Sequence, residues 1–196
     1  MQDMASFWDV AYLVGAPWDT GEPPGELTEL VDKHKLEPGN ILDIGCGTGT
    51  SVVFLASRGF EASGLDISRV AIRKAKSKAA RHDVNCRFYR LDFADPNELA
   101  SARLPAFDLL IDNGCYHSLS PNDRDKYANS LLRVSRVGTV YLLWGFLRGS
   151  RPGFGPPGID YKEVEDRFSK NFRVREKREL ETSFSSMLFY VMEREN

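Results

Sequence analysis

The sequence holds only three cysteines, Cys46, Cys86 and Cys115, and none stands in CxxC spacing. That excludes a disulfide scaffold and a thiolate zinc module, and it suits reduced thiols in a cytosol. A long apolar run is also missing. The most apolar stretch, Val137 to Leu147, covers 11 residues and is interrupted by Gly138, Thr139 and Gly145, too short to span a bilayer. Charge of one sign is missing too: Lys plus Arg is 26, Asp plus Glu is 28, and the formal net charge is −2. Nothing in that balance calls for a polyanion as the main partner. The opening MQDMASFWDV has no basic stretch ahead of an apolar one, so no secretory signal is expected and a cytoplasmic location is. What is present is an ordinary globular composition of 196 residues, 42% apolar and 28% charged. A chain of that size buries roughly 70% of its unfolded surface without staples, so one domain over residues 1–196 and no metal site are expected.

Short apolar runs alternate with stretches of helical spacing. Strands are expected at Asn40 to Ile44, Phe60 to Leu65, Cys86 to Leu91, Phe107 to Ile111 and Val137 to Phe146. Helices are expected from Thr50 to Ser57, from a Ser68 cap to Arg81, from Asn122 to Val134 and from Asp160 to Lys170, with a short one before Phe107. Strands alternating with helices imply a parallel sheet covered on both faces. The last two runs, Phe172 to Glu179 and Ser185 to Met192, have no helix between them and predict a closing antiparallel hairpin. Residues 1–36 precede the first strand and carry two of the three tryptophans, which suggests a segment folded onto the domain.

The decade Ile41 to Thr50, ILDIGCGTGT, is the most informative. A glycine-rich turn between a first strand and a helix lets a ligand approach the backbone beside the helix N-terminus. Asp66 closes the second strand, where a carboxylate accepts hydrogen bonds from ribose hydroxyls. The glycines fall at 45, 47 and 49 with Thr50 following, so the GxGxxG dinucleotide spacing is absent, and no GK[ST] phosphate loop follows. Asp43, two residues before the first glycine, would repel a pyrophosphate and suits a cofactor with a cationic amino-acid end. That points to S-adenosylmethionine.

With these residues in place, the chain resembles the class I S-adenosylmethionine-dependent methyltransferases over essentially its whole length. Asp43, Gly45, Cys46, Gly47, Thr48 and Gly49 look like the family's first motif, and Asp66 with Ile67 in GLDIS like its ribose-binding station. The resemblance implies that Asp92 and Phe93 in RLDFADP meet the adenine, and that Asp112 and Asn113 in FDLLIDNGCYHSL face the methionine portion and the acceptor. It implies a Rossmann-like seven-stranded sheet of order 3-2-1-4-5-7-6 with strand 7 antiparallel, helices on both faces, and an N-terminal helical lid. The leader, with Phe7-Trp8-Asp9, Tyr12 and Pro17-Trp18-Asp19, resembles that of thiopurine and halide/thiol methyltransferases. By that likeness Tyr12 and Trp18 contact the cofactor, although Tyr12 stands where those relatives place a tryptophan. Ring faces attract a sulfonium, which has no hydrogen-bond donors. Trp8 and Trp18 as plain anchors of the leader remain the alternative.

The expected acceptor is a small, largely apolar molecule methylated at S, O or N, lined by Trp8, Tyr116, Phe146 and Phe154, with Arg148 and Arg151 available to an anionic group. His117, just past the fourth strand, is the candidate general base, with a positioning role as the equal alternative. Eight basic residues lie between Arg69 and Arg90 against the single acid Asp83, a pattern that usually marks a solvated face. No [ND]PP[YFW] motif follows the fourth strand, so nucleic acid is not the expected acceptor. A protein acceptor or a non-catalytic cofactor-binding role stays open as the alternative, and the oligomeric state is unreadable.

Overall fold

The computed structural model describes residues 4–150, 155–182 and 185–196. Seven strands form one sheet in the order β3-β2-β1-β4-β5-β7-β6, as the resemblance implies. The chain divides into two compact units, Met1–Asp92 and Phe93–Asn196.

In the first unit the strands are β1 (Asn40–Ile44), β2 (Glu61–Asp66) and β3 (Arg87–Arg90), paired in parallel with Ile44 opposite Leu65 and Leu65 opposite Tyr89. Ile41, Leu42 and Ile44 are fully buried, each contributing about 1.5–3 kcal/mol of apolar burial. This is why a run of five residues suffices for a central strand. Helices α1 (Met4–Val14), α2 (Gly25–Asp32), α3 (Thr50–Ala56) and α4 (Arg69–Arg81) complete the unit. Ser68 caps α4 as expected, its hydroxyl accepting from Ala71 N at 3.1 Å. The leader packs on α4 through a small cluster of Tyr12, Ala16, Val70 and Ala71, with Trp8 against it.

In the second unit β4 (Phe107–Asn113) runs parallel to β5 (Ser135–Phe146), while β7 (Ser186–Arg194) is antiparallel to both β5 and β6 (Phe172–Glu181). The closing hairpin is therefore present. β5 begins at Ser135 rather than at Val137, because the register shifts between Phe107 and Leu109 and the strand passes through Gly138 at φ +88°. A glycine bulge of this kind is silent in an apolar pattern. The helices are α5 (Pro96–Ala102), α6 (Pro121–Arg133) and α7 (Tyr161–Phe168). Ser120 and Asp160 cap α6 and α7 by accepting from Asp123 N and Glu163 N. Among the described residues no helix is long and apolar enough to cross a membrane.

Candidate active site

The first unit gathers its functional residues at the carboxyl ends of β1 and β2. Gly45, Gly47 and Gly49 all take positive φ (71°, 53° and 77°), which allows the chain to turn tightly from β1 into α3. The turn is braced by Cys46 N donating to Leu65 O and Gly49 N donating to Cys46 O, both at 2.9 Å. Asp66 is buried, and each carboxylate oxygen accepts one backbone bond: Gly47 N at 2.9 Å and Ser68 N at 2.7 Å. Burial nevertheless pushes its carboxyl up to about 6, against those two N–H groups that hold it down. A carboxylate has about four lone-pair sites, so two acceptor directions remain after the backbone has taken two. Asp43 is buried at the end of β1, and Asp92 is half-buried after β3.

The leader reaches this turn directly. A Cβ placed on Gly47 would sit 2.7 Å from the Tyr12 hydroxyl, so the hydroxyl end of the tyrosine abuts a position that only glycine leaves open. Trp18 stands edge-on to Tyr12 and to Trp8, with ring centroids at 6.2 and 5.6 Å. Six polar residues outside the expected site, Asp9, Asp19, Thr50, Ser68, Lys74 and Lys78, hold this arrangement. Asp9 accepts from Ser68 Oγ at 2.6 Å and from Val70 N at 3.0 Å, a second cap on α4. Lys74 donates to the Tyr12 carbonyl at 2.5 Å. Lys78 donates to Thr48 Oγ1 and Thr50 Oγ1 at 2.8 and 2.5 Å, and Thr48 in turn donates to Asp19 at 2.7 Å. Two of the eight basic residues are thus tied into the cofactor turn and its cover, which corrects their reading as plain surface. Asp9, named in the leader motif but given no role there, is the single charged residue in α1.

The second unit differs from expectation at several residues. Asp112 is fully enclosed: Oδ1 accepts from Cys115 N at 2.8 Å, and Oδ2 accepts from Tyr116 N at 2.9 Å and from the Tyr127 hydroxyl at 2.6 Å. Burial pushes its carboxyl up to about 6 despite these donors. Its side chain holds the turn after β4, and Asn113 is the exposed member of the pair. Tyr116 does not line an acceptor surface. It is fully buried against Tyr127 and Phe168, and its hydroxyl donates to Glu163 at 3.2 Å. Phe93 is buried edge-on to Tyr127 at 4.9 Å. The Arg148 charge is paired with Asp160 at 3.1 Å and Glu163 at 2.6 Å rather than held for a ligand. Phe154 and Arg151 lie outside the described residues.

His117 is buried beside half-buried Phe146, ring centroids 4.9 Å apart. Its Nδ1 accepts from Phe146 N at 3.1 Å, so the neutral ring carries its proton on Nε2. A ring in that tautomer donates or positions. Nδ1 is thus engaged by the backbone of β5, and a base would have to act through the other ring nitrogen.

A glycine turn from a first parallel strand, a buried acid closing the second and a 3-2-1-4-5-7-6 sheet define an enzyme that binds a nucleoside-containing cofactor at its strand ends. Residues 41–138 match the family described as a methyltransferase domain. The chain is 32% identical to 2-heptyl-1-hydroxyquinolin-4(1H)-one methyltransferase of Mycobacteroides abscessus, over 81% of this chain and 69% of that one. It is 30% identical to a probable thiol methyltransferase of Arabidopsis thaliana over the same shares. A solved structure described as "Conversion of a Disulfide Bond into a Thioacetal Group during Echinomycin Biosynthesis" superposes with a TM-score of 0.83 at 25% identity, covering 98% of this chain and 93% of that one. The chain belongs to the class I S-adenosylmethionine-dependent methyltransferases, and it is an enzyme that uses S-adenosylmethionine.

Proposed function

We propose that the enzyme methylates a small, largely apolar molecule at a thiol, an acidic hydroxyl or a nitrogen, as a single cytoplasmic domain whose residues 1–36 act as a lid. The observation that carries this reading is the leader laid over the cofactor turn, with Tyr12 against Gly47. A turn covered in this way suits an acceptor small enough to be enclosed. The hydroxyquinolone and thiol methyltransferases among the relatives support the same class.

When bound, S-adenosylmethionine supplies an electrophilic methyl group on a sulfonium. The residues fit it: the glycine turn admits a ligand to the backbone, Asp66 keeps two acceptor directions for ribose hydroxyls, and Asp43 offers a carboxylate to the amino-acid end. Asp92 takes the adenine amino group. Tyr12 and Trp18 present aromatic surface to the cationic sulfur. In the second unit, Phe146 and His117 serve the acceptor, the imidazole by orienting it. In-line displacement then depends on placement and on exclusion of water rather than on proton removal. Acceptors ionised near neutrality suit such a site best.

The test is release of S-adenosylhomocysteine with a panel of thiols, phenols and N-hydroxy heterocycles beside a protein extract and tRNA. Turnover is expected on the small molecules. Turnover confined to protein or tRNA would overturn the acceptor class, and cofactor binding without turnover on any acceptor would favour a non-catalytic binder.

A further inference from the structure

Arg124 belongs to none of the motifs above, yet it is 1% exposed and its whole guanidinium is used inside the second unit. Nε donates to the Leu119 carbonyl at 3.1 Å. Nη1 donates to both oxygens of Glu163, at 2.5 and 2.6 Å. Nη2 donates to the carbonyls of His117 at 3.1 Å and Gly158 at 2.8 Å. Glu163 also receives the Tyr116 hydroxyl at 3.2 Å and Arg148 at 2.6 Å.

Stability alone gives no reason for this group. Removing a guanidinium and a carboxylate from water costs several kcal/mol per ion, and well-packed apolar residues of similar volume often serve a core as well or better. What apolar residues lack is donors for three carbonyls in two separate segments. One segment follows β4 and carries His117. The other, at Gly158, is the far end of the loop that leaves β5. The near end of that loop joins the same circuit, since Ile159 N donates to Phe146 O at 2.8 Å and Arg148 N donates to Ile159 O at 2.7 Å. The two ends approach closely: a Cβ on Gly158, at φ +70°, would lie 3.0 Å from Arg148 Cα. Phe146 N in turn holds His117 Nδ1 at 3.1 Å. The circuit therefore runs from Arg124 to the His117 carbonyl, from the His117 ring to Phe146, and from Phe146 through Ile159 back to the Gly158 carbonyl on Arg124.

We propose that Arg124, clamped by Glu163, is a positioning residue for methyl transfer, fixing the His117 imidazole and both ends of the β5 loop in one arrangement. This rests on the acceptor-side roles assigned to His117 and Phe146. Its effect falls on placement of the acceptor, and the cofactor stations of the first unit are left unchanged. Lysine keeps a charge for Glu163 but lacks the planar fork that reaches the carboxylate and the carbonyls together.

The experiment compares wild type, Arg124→Lys and Glu163→Gln. It reads S-adenosylhomocysteine affinity by calorimetry, kcat and KM on an acceptor from the panel, and the imidazole 15N shifts of His117. Cofactor-product affinity is expected to stay at the wild-type value. In Arg124→Lys, kcat is expected to fall about 100-fold, the scale of a misplacement near 1 Å, with the His117 shifts moved. Glu163→Gln should shift both readouts in the same direction by less, and it carries the test if Arg124→Lys fails to fold. Wild-type kcat with unmoved shifts would overturn the proposal. So would loss of cofactor-product affinity in step with kcat, which marks general damage. If wild type turns over no small acceptor, the acceptor reading fails, and the His117 shifts alone decide whether Arg124 sets the imidazole.

Discussion

The two units build their stations from different materials. In the first, the ligand-facing elements are largely backbone: a glycine turn, N–H groups at strand ends, and one carboxylate held between Gly47 N and Ser68 N. In the second, buried side chains hold other side chains and loop carbonyls: Asp112 on Tyr127, Tyr127 on Tyr141, and Arg124 on Glu163, His117 and Gly158. A backbone site changes little when its neighbours change, whereas a side-chain network shifts with any member. On the proposed reading, the first unit thus suits a reaction component common to the family, and the second an acceptor that varies between members.

The sharpest way to break this comparison is Gly47→Ala. A Cβ there takes φ +53° and meets the Tyr12 hydroxyl at 2.7 Å, so the leader must lift from the turn. Affinity for S-adenosylhomocysteine by calorimetry is expected to fall about 100-fold from lost leader contact, while the αL penalty of about 1–2 kcal/mol falls on stability. Gly59→Ala has a similar φ, +89°, with nothing within 4 Å, and should leave affinity unchanged. Tyr12→Phe in the Gly47→Ala background should recover part of the loss. If Gly47→Ala alone binds as wild type does, the leader is not part of the cofactor site.

Asp66→Asn comes next. The amide can accept from only one of the two backbone N–H groups, and the loss of charge weakens the ribose contact by about the worth of one charge-assisted bond, about 1.5–3 kcal/mol. Binding weaker by about 10- to 100-fold is expected, and unchanged binding would remove the ribose assignment. Tyr127→Phe probes the other unit. Deleting the donor to enclosed Asp112 should lower stability to denaturant by about 1–3 kcal/mol, with S-adenosylhomocysteine affinity preserved. A loss of affinity instead would show that the division of labour is wrong.

The smallest effect is a pH dependence of opposite sign for binding and folding. The Asp66 carboxyl is raised from 3.8 to about 6 by burial, so ribose binding should weaken as pH falls through 6. Stability moves the other way. Between about 6 and 3.8 the folded chain holds more protons than the unfolded one, so this residue's contribution rises as pH falls. Asp112 is raised in the same direction, so the measurement is the difference between wild type and Asp66→Asn in midpoint and affinity across that window. An affinity independent of pH would mean that Asp66 does not meet the ligand as a carboxylate.

The cofactor half was legible because its chemistry is local. DIGCGTG and GLDIS place their functional atoms within two or three residues of a strand end, and glycine spacing reports the turn directly. The acceptor half was legible only in outline. Tyr116 and His117 stand in the turn after β4, as the sequence places them, but which face each presents is set by partners far along the chain: Glu163 for Tyr116 and Phe146 for His117. Asp112 occupies a familiar station, yet three donors enclose it. Lys74 and Lys78 read as surface because helical spacing does not reveal that the leader and the glycine turn bring acceptors to them.

By itself, the sequence determined the alternation of strands and helices, the closing hairpin, the cofactor, and the glycine turn and Asp66 at the strand ends of the first unit. Each rests on short-range physics: apolar periodicity, caps, and the backbone freedom of glycine. Tertiary structure alone decided which polar side chains point inward, that His117 accepts on Nδ1, and that one buried guanidinium gathers His117, Leu119 and Gly158. A hydrogen bond between residues 5 to 34 positions apart leaves no periodic trace in the chain, and its energy is realised only after folding has excluded water from both partners.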